Sequence, residues 1–338
     1  MLAHIRANLW LLVLTIVLCS VLYPLVLWAV GQSLFPHQAE GSLLDRKGQP
    51  VAGDGQAVGS HLIAQPFADD RYFQPRPSAV SYNAAASGAS NWAASNYRLR
   101  ERVARQLGPI VKYRSGPRAG KLVGPDIESW FQKDHFGGKP GIVGQWAEAH
   151  PAVAQDWIRA DKLNTEFAAA WVARRVANLP HDKPEDLAVP FFTSYSRAHP
   201  GTFPSAVEHN AADGKTEKRI EPVKEGTDIR GIFFDMWRQE HADADLEDVP
   251  ADMVMASGSG LDPHITLKNA LYQLDRVAGK WATITKRDEA QARKEIEELL
   301  GKRAEAPLGG LVGVDLVNVL EINLALKNHF VGHNRTFR

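Results

Sequence analysis

The stretch Ala256-Ser257-Gly258-Ser259-Gly260-Leu261-Asp262-Pro263-His264-Ile265 holds the residue types best suited to chemistry in this chain. Gly258 and Gly260 permit tight backbone geometry, and exposed amides beside Ser257 and Ser259 would form a nest for an anion. Asp262 and His264 flank Pro263 just ahead of a predicted helix, where a carboxylate and an imidazole could meet a phosphate or a metal ion. The same residues suit a rigid turn, in which Asp262 and His264 bond the backbone and fix the helix start. No second acidic or histidine cluster lies nearby in sequence, which favours the turn.

Other catalytic patterns fail on spacing. A P-loop needs four residues between Gly and Gly-Lys-Ser/Thr, whereas Gly116–Leu122 offers three and ends in Leu. The hydrolase elbow G-x-S-x-G fails because Ala256 stands where its first glycine would be. Asp213-Gly214-Lys215-Thr216 is not the Asp-Lys-Thr-Gly phosphorylation motif of P-type pumps. The one cysteine, Cys19, sits in an apolar run, which excludes intramolecular disulfides and cysteine zinc sites. With 39 basic and 39 acidic residues, the charge balance argues against nucleic acid as a partner. A charged fraction of 23% beside 44% hydrophobic residues fits a folded chain of 338 residues, long enough for two domains.

One segment decides the class. No Asp, Glu, Lys or Arg occurs between Arg6 and Glu40, and Asn8–Val30 contains 14 Leu, Ile or Val in 23 residues. As a helix it spans roughly 35 Å against a hydrocarbon layer of about 30 Å. Those 14 residues favour insertion by roughly 4–8 kcal/mol. The run is too long for a signal peptide, and Leu27-Trp28-Ala29-Val30-Gly31 is a poor cleavage site. The expectation is one uncleaved transmembrane helix over 8–30 after a short cytoplasmic tail, 1–7. Arg6 before the helix weakly favours a cytoplasmic N-terminus and an external body.

Beyond the anchor, residues 31–107 are turn-rich, with a candidate strand at Gln56–Ile63. Tyr82–Asn96 reads as an ordered loop whose Asn and Ser side chains bond their own backbone. Arg98–Leu107 reads as a basic helix. Residues 108–247 change character, carrying five of the nine tryptophans and a net charge of about −3. Their aromatic residues read as a small core, with Val153–Ala177 as a helix and His209–Asp228 as an exposed loop. Near the end, Thr266 is placed to cap a helix over Leu267–Ala278 that stops at Gly279. Thr285 and Asp288 resemble a capping box for the next helix, with Ala292, Ile296, Leu299 and Leu300 inward and Gly301 as its stop.

Short blocks stand in order along the chain: Leu22-Tyr23-Pro24, Leu34–Ser42, Val58-Gly59-Ser60, Gln65-Pro66-Phe67 and Asp70-Arg71-Tyr72-Phe73. They continue through Arg76-Pro77-Ser78, Tyr82-Asn83-Ala84-Ala85-Ala86-Ser87-Gly88, Asp252–Ile265 and Asn318–Asn323. Together these blocks resemble the C subunit (KdpC) family of bacterial Kdp high-affinity potassium-transporting P-type ATPases. The resemblance leaves 108–247 as an insertion, with 31–107 and 248–338 forming the domain common to the family.

The resemblance implies an α+β extracytoplasmic domain behind one membrane helix, interrupted here by a mainly helical insertion. It implies a bacterial inner-membrane protein without its own catalytic motif. Its expected partners are a channel-like A subunit carrying potassium, an ATP-hydrolysing B subunit, and a small F subunit. ATP is expected through the B subunit, whose ATP affinity this subunit raises, with no independently bound cofactor or metal. The residues singled out are Ser257, Gly258, Ser259, Gly260, Asp262 and His264, with Asn83 and Arg71. An external body would place Ser257–Gly260 across the membrane from ATP, so any effect there would be indirect. Two other readings stay open: a membrane-anchored enzyme whose active site lies in the insertion or around Asp262 and His264, and a scaffold that recruits an envelope partner through the Trp-rich insertion.

Overall fold

The computed structural model describes residues 2–51, 54–135, 141–159, 165–175, 184–210 and 216–332. They build two compact units, Met1–Ser90 with Pro250–Arg338, and Asn91–Val249.

The first unit opens with a helix, Leu2–Leu34, whose apolar window is not buried by any part of the protein. It contains the expected Asn8–Val30 span and extends it at both ends. A π-helical turn, Val17–Leu22, interrupts it just before Pro24. Proline cannot donate to the carbonyl four residues back and crowds it, so the ladder widens there.

The body of this unit mixes strands and helices. Leu43–Leu44 pairs antiparallel with Gly59–Ser60, a shorter strand than the expected Gln56–Ile63. A second antiparallel pair joins His264–Thr266 to Leu316–Asn318, in the register Ile265↔Val317. Each of those two strands runs straight into a helix, Leu267–Thr285 and Val319–Gly332 respectively. With Glu289–Arg303 these helices bury one apolar core around Leu274, Val277, Trp281, Ile296, Ile322 and Phe330. The Trp281 and Phe330 rings stack at 5.1 Å.

Thr266 caps its helix as expected, accepting from the Asn269 amide at 3.1 Å. The helix does not stop at Gly279 but continues to Thr285. Trp281 and Ala282 lie buried beyond that glycine, and their burial outweighs the helix cost of one Gly, about 1 kcal/mol. The capping box is also corrected. Asp288 alone caps Glu289–Arg303, while the Thr285 hydroxyl donates back to the Trp281 carbonyl. Gly301 lies inside that helix, which ends at Arg303.

Side-chain amides bind the extended segment after Asp70 to this core. Asn323 accepts from the Phe73 amide at 2.8 Å and donates to its carbonyl at 2.9 Å. Gln273 does the same for Gln74, at 2.8 and 3.0 Å. The Arg276 guanidinium donates to the carbonyls of Asp70 and Tyr72. The segment thus receives a strand's hydrogen bonds from helix side chains.

Among the described residues the second unit is mainly helical, with an antiparallel pair of strands, Phe203–Asn210 and Thr216–Val223. That hairpin corrects the loop expected over His209–Asp228. Ile220 and Val223 pack on the core, but they are three residues apart with Arg219, Glu221 and Lys224 beside them, so the strand shows no regular alternation. The helix expected over Val153–Ala177 appears as Pro151–Arg159 and Thr165–Arg175, with Leu163, Val176 and Ala177 outside the described residues. The expected aromatic core is present. The Trp146 ring packs edge-on against Phe192 at 5.1 Å and Phe203 at 5.4 Å, and Phe131 stacks on Phe233 at 4.5 Å.

The expected insertion boundary at residue 108 falls inside the helix Tyr97–Ile110. That helix belongs to the second unit because a Cβ at Gly108 would lie 2.0 Å from the Arg230 carbonyl oxygen. Only glycine permits that approach.

Asn323→Ala should strand the buried Phe73 amide and carbonyl and cost the first unit about 2–6 kcal/mol. Asn323→Asp should cost less, because it keeps the acceptor for the Phe73 amide. Thermal unfolding of the full chain in detergent, followed by Trp281 fluorescence against a Trp281→Phe control, checks the order.

Candidate functional site

The block Ser257–His264 forms a seam with the loop over residues 76–88. Ser257 is buried, and its amide donates to the Pro77 carbonyl at 3.2 Å. The Ser259 carbonyl accepts from the Gly88 amide at 2.8 Å and from the Ser87 hydroxyl at 3.1 Å. The Ser78 hydroxyl donates to the Gly260 carbonyl at 2.7 Å and itself accepts from the Val80 and Tyr82 amides. The Leu261 carbonyl accepts from Ala64, and the Pro263 carbonyl from Val319.

The amides that a nest would need are largely used within the seam. Gly260 donates to the Ser257 carbonyl, and Leu261 to the Ser259 hydroxyl. The two glycines also differ in role. Gly260 sits at φ +68°, where an added Cβ would lie 2.6 Å from Val80 Cγ2 and 2.8 Å from the Gly88 carbonyl. Gly258 has open space around it.

Asp262 serves two neighbours through three contacts. Its carboxylate accepts from the His264 amide at 3.0 Å, pairs with Arg76 at 3.2 Å, and lies 3.4 Å from His264 Nδ1. Partial burial works to raise its pKa, but the bonds from His264 and the Arg76 charge outweigh this and hold it below the ordinary carboxylate value. Asp252 adds a support that sequence reading did not single out, accepting from the Thr266 amide at 2.8 Å.

Asn83 lies in the partner loop of the seam and closes a local turn, its side chain accepting from the Ala85 amide at 3.0 Å. Arg71 makes its contacts elsewhere. It pairs with Asp69, whose pKa its hydrogen bonds lower to about 2, and its guanidinium lies 5.6 Å from the Tyr72 ring centroid.

His264 also lines a cavity of about 320 Å³ with His61, Arg303, Glu305, Asn318 and Glu321. The two imidazoles meet edge to face at 6.2 Å. His61 Nδ1 lies 2.7 Å from Glu321, which is also 3.6 Å from Arg303, and Asn318 donates to the His61 carbonyl at 2.8 Å. Asn318 and Glu321 fall in a sequence block noted above, but its strand-to-helix register hid which side chains face His61. Among the described residues no group of three His, Cys, Asp or Glu is disposed to hold a metal ion.

The sequence profile of the KdpC family, described as K+-transporting ATPase, c chain, matches residues 5–123 and 205–328. The chain belongs to that family. A KdpC subunit of a potassium-transporting ATPase from Sorangium cellulosum is 28% identical over 326 residues, covering 96% of this chain and 98% of its own length. Its alignment therefore runs through the second unit as well. The corresponding subunit from Caldanaerobacter subterraneus is 38% identical over 106 residues, so this chain matches only 51% of its length. One from Staphylococcus aureus is 38% identical over 136 residues, 36% of this chain and 70% of that protein. In this KdpC-family chain both matched segments contribute to the seam, since 5–123 contains the 76–88 loop and 205–328 contains Ser257–His264.

Gly260→Ala should destabilise the first unit by roughly 1–3 kcal/mol through its left-handed backbone and the crowding at Val80, whereas Gly258→Ala should be near neutral. Limited proteolysis of the two variants reads the difference. A second outcome concerns pH. Because the folded-state pKa of Asp262 is depressed, its contribution is complete above the ordinary carboxylate value, about 3.9, and fades as pH falls through the lower folded value. Asp262→Asn should therefore lower stability at neutral pH and reduce its loss as pH falls below about 4.

Proposed function

We propose that the chain is an accessory subunit of an ATP-driven potassium-import complex, held in a bacterial inner membrane by Leu2–Leu34. Its body sits outside the cytoplasm, and it assembles with a channel-like A subunit, an ATP-hydrolysing B subunit and a small F subunit. The observation that carries this reading is the family match to both sequence-distant halves of the first unit.

On this reading the subunit does no bond chemistry. Ser257, Ser259, Gly260, Asp262 and His264 hold the seam, Asn83 shapes its partner loop, and Gly258 remains an open surface position. The committed amides of Gly260 and Leu261 support a structural role over direct ATP binding. Any rise in the B subunit's ATP affinity is then a coupling between sites on opposite sides of the membrane. Such coupling carries typically 1–3 kcal/mol and must be reciprocal: ATP on the B subunit tightens its grip on this subunit.

The second unit supports an additional reading. Asn91–Val249 has its own aromatic core, as a module that recruits an envelope partner would.

Purifying the C-terminally tagged chain from potassium-starved membranes should recover the channel-like and ATP-hydrolysing subunits with potassium-stimulated ATPase activity. Recovery of the chain alone would sink the accessory-subunit reading. A C-terminal alkaline phosphatase fusion should be active and a green fluorescent protein fusion dark; the reverse pattern would place the body in the cytoplasm. Replacing residues 91–249 by a short flexible linker should leave potassium uptake intact if the second unit serves recruitment.

A further inference from the structure

We infer that the first unit carries a binding site for an anionic phospholipid, its phosphate between Arg46 and Lys327 and the start of an acyl chain over Val58, Phe67, Leu320 and Leu324. These residues line a cavity of about 330 Å³, separate from the one around His61 and His264. Its apolar wall belongs to a small cluster in which Val58 and Phe67 pack on Leu44, Leu320 and Leu324. Leu320, Leu324 and Lys327 recur at helical spacing on Val319–Gly332, so one helix face supplies two apolar contacts and a cation at the rim.

Charge pairing sets Arg46 apart from the other described arginines of this unit's body. Arg71, Arg76, Arg276, Arg287, Arg293 and Arg303 of the same unit all form ion pairs. Arg46 and Lys327 also line a pocket wall, yet among the described residues neither has a carboxylate partner. Two cations without a counter-ion beside an apolar hollow suit an amphipathic anion. They disfavour a zwitterionic lipid, whose own cation would meet them.

Position supplies the rest. Ser42 donates to the His37 carbonyl at 2.8 Å, fixing the start of the body to the short helix Pro36–Ala39 that follows Leu34. Arg46 lies four residues on, so its Cα is at most about 14 Å from that of Ser42. The Asp45 side chain accepts from the Lys47 and Gln49 amides, which fixes the tight turn that carries Arg46. The interfacial layer is roughly 5–8 Å deep beyond the hydrocarbon, and long Arg and Lys side chains extend toward phosphates there. This step rests on the reading of Leu2–Leu34 as a membrane helix, which carbonate extraction of membranes tests separately.

The test is native mass spectrometry of the full chain in detergent, equilibrated with phosphatidylglycerol or phosphatidylcholine. Phosphatidylglycerol should be retained preferentially. The double variant Arg46→Gln, Lys327→Gln should lower its retention roughly 30-fold, about 5-fold for each cation, and Arg46→Lys, Lys327→Arg should restore it. Both positions are exposed, and thermal unfolding should show both variants folded. Equal retention of the two lipids, or undiminished retention in the Gln double variant, would overturn the site. A chain resistant to carbonate that shows either result retains its anchor and loses only this inference.

Discussion

Four hydrogen bonds join Phe73 and Gln74 to Asn323 and Gln273, and the first unit depends on them. The chain leaves this unit after Ser90 and returns at Pro250, having built a second core in between. Its two halves are therefore distant in sequence, and closing so long a loop has an entropic cost. That cost grows only logarithmically with length, so long insertions can be tolerated when the contacts at closure are strong. Here they combine apolar burial with complete pairing: Phe73 is fully buried against the helices of the returning half, while its backbone polar groups are satisfied by Asn323. Burial without that amide would leave two polar groups dry.

The seam at Ser257–His264 repeats this solution with the roles exchanged. At Phe73 the returning helices supply side chains to the backbone of the first half. At Gly260 the first half supplies Ser78 and Ser87 to the backbone of the returning half. Ser78 is used most fully, donating to Gly260 while receiving two amides of its own loop. Glycine is needed where the two backbones approach, since Gly88 and Val80 occupy the space a Cβ would fill. A Ser-Gly-rich motif can thus arise from the demands of joining two segments closely, which gives its residue types a physical reason other than anion binding.

What could be read in the sequence follows from the range of the interactions. The long apolar helix Leu2–Leu34, the Thr266 cap and the aromatic core of the second unit depend on composition or on neighbours within a few residues, and each was legible. Gly279 and Gly301 misled because local propensity set their reading, while Trp281 and the buried face of Glu289–Arg303 hold the helices through tertiary burial. The hairpin from Phe203 was hidden because Arg219, Glu221 and Lys224 stand beside its core residues Ile220 and Val223 without regular alternation. In the candidate site, Ser257, Gly260, Asp262 and His264 stood out by type. Their partners Arg76 and Ser78 lie more than 170 residues upstream, at separations of 186 and 182, and the pairing of His61 with Glu321 spans 260. Periodicity carries no information over such distances.

The alternating charges around His264 have a further consequence for how the first unit responds as a whole. Arg76 pairs with Asp262, which backs His264; His264 faces His61; and His61 is backed by Glu321, which also reaches Arg303. Each imidazole therefore has a carboxylate on one side and the other imidazole's edge nearby. The two carboxylates come from different elements, Asp262 from the seam and Glu321 from the final helix. His61 lies next to the Gly59–Ser60 strand, and its amide donates to the Ser42 carbonyl beyond the apolar helix Leu2–Leu34. A change at either histidine thus bears on three things together: the seam, the final helix and the connection to the N-terminal helix. This continuity is built from side chains that bridge the two sequence halves.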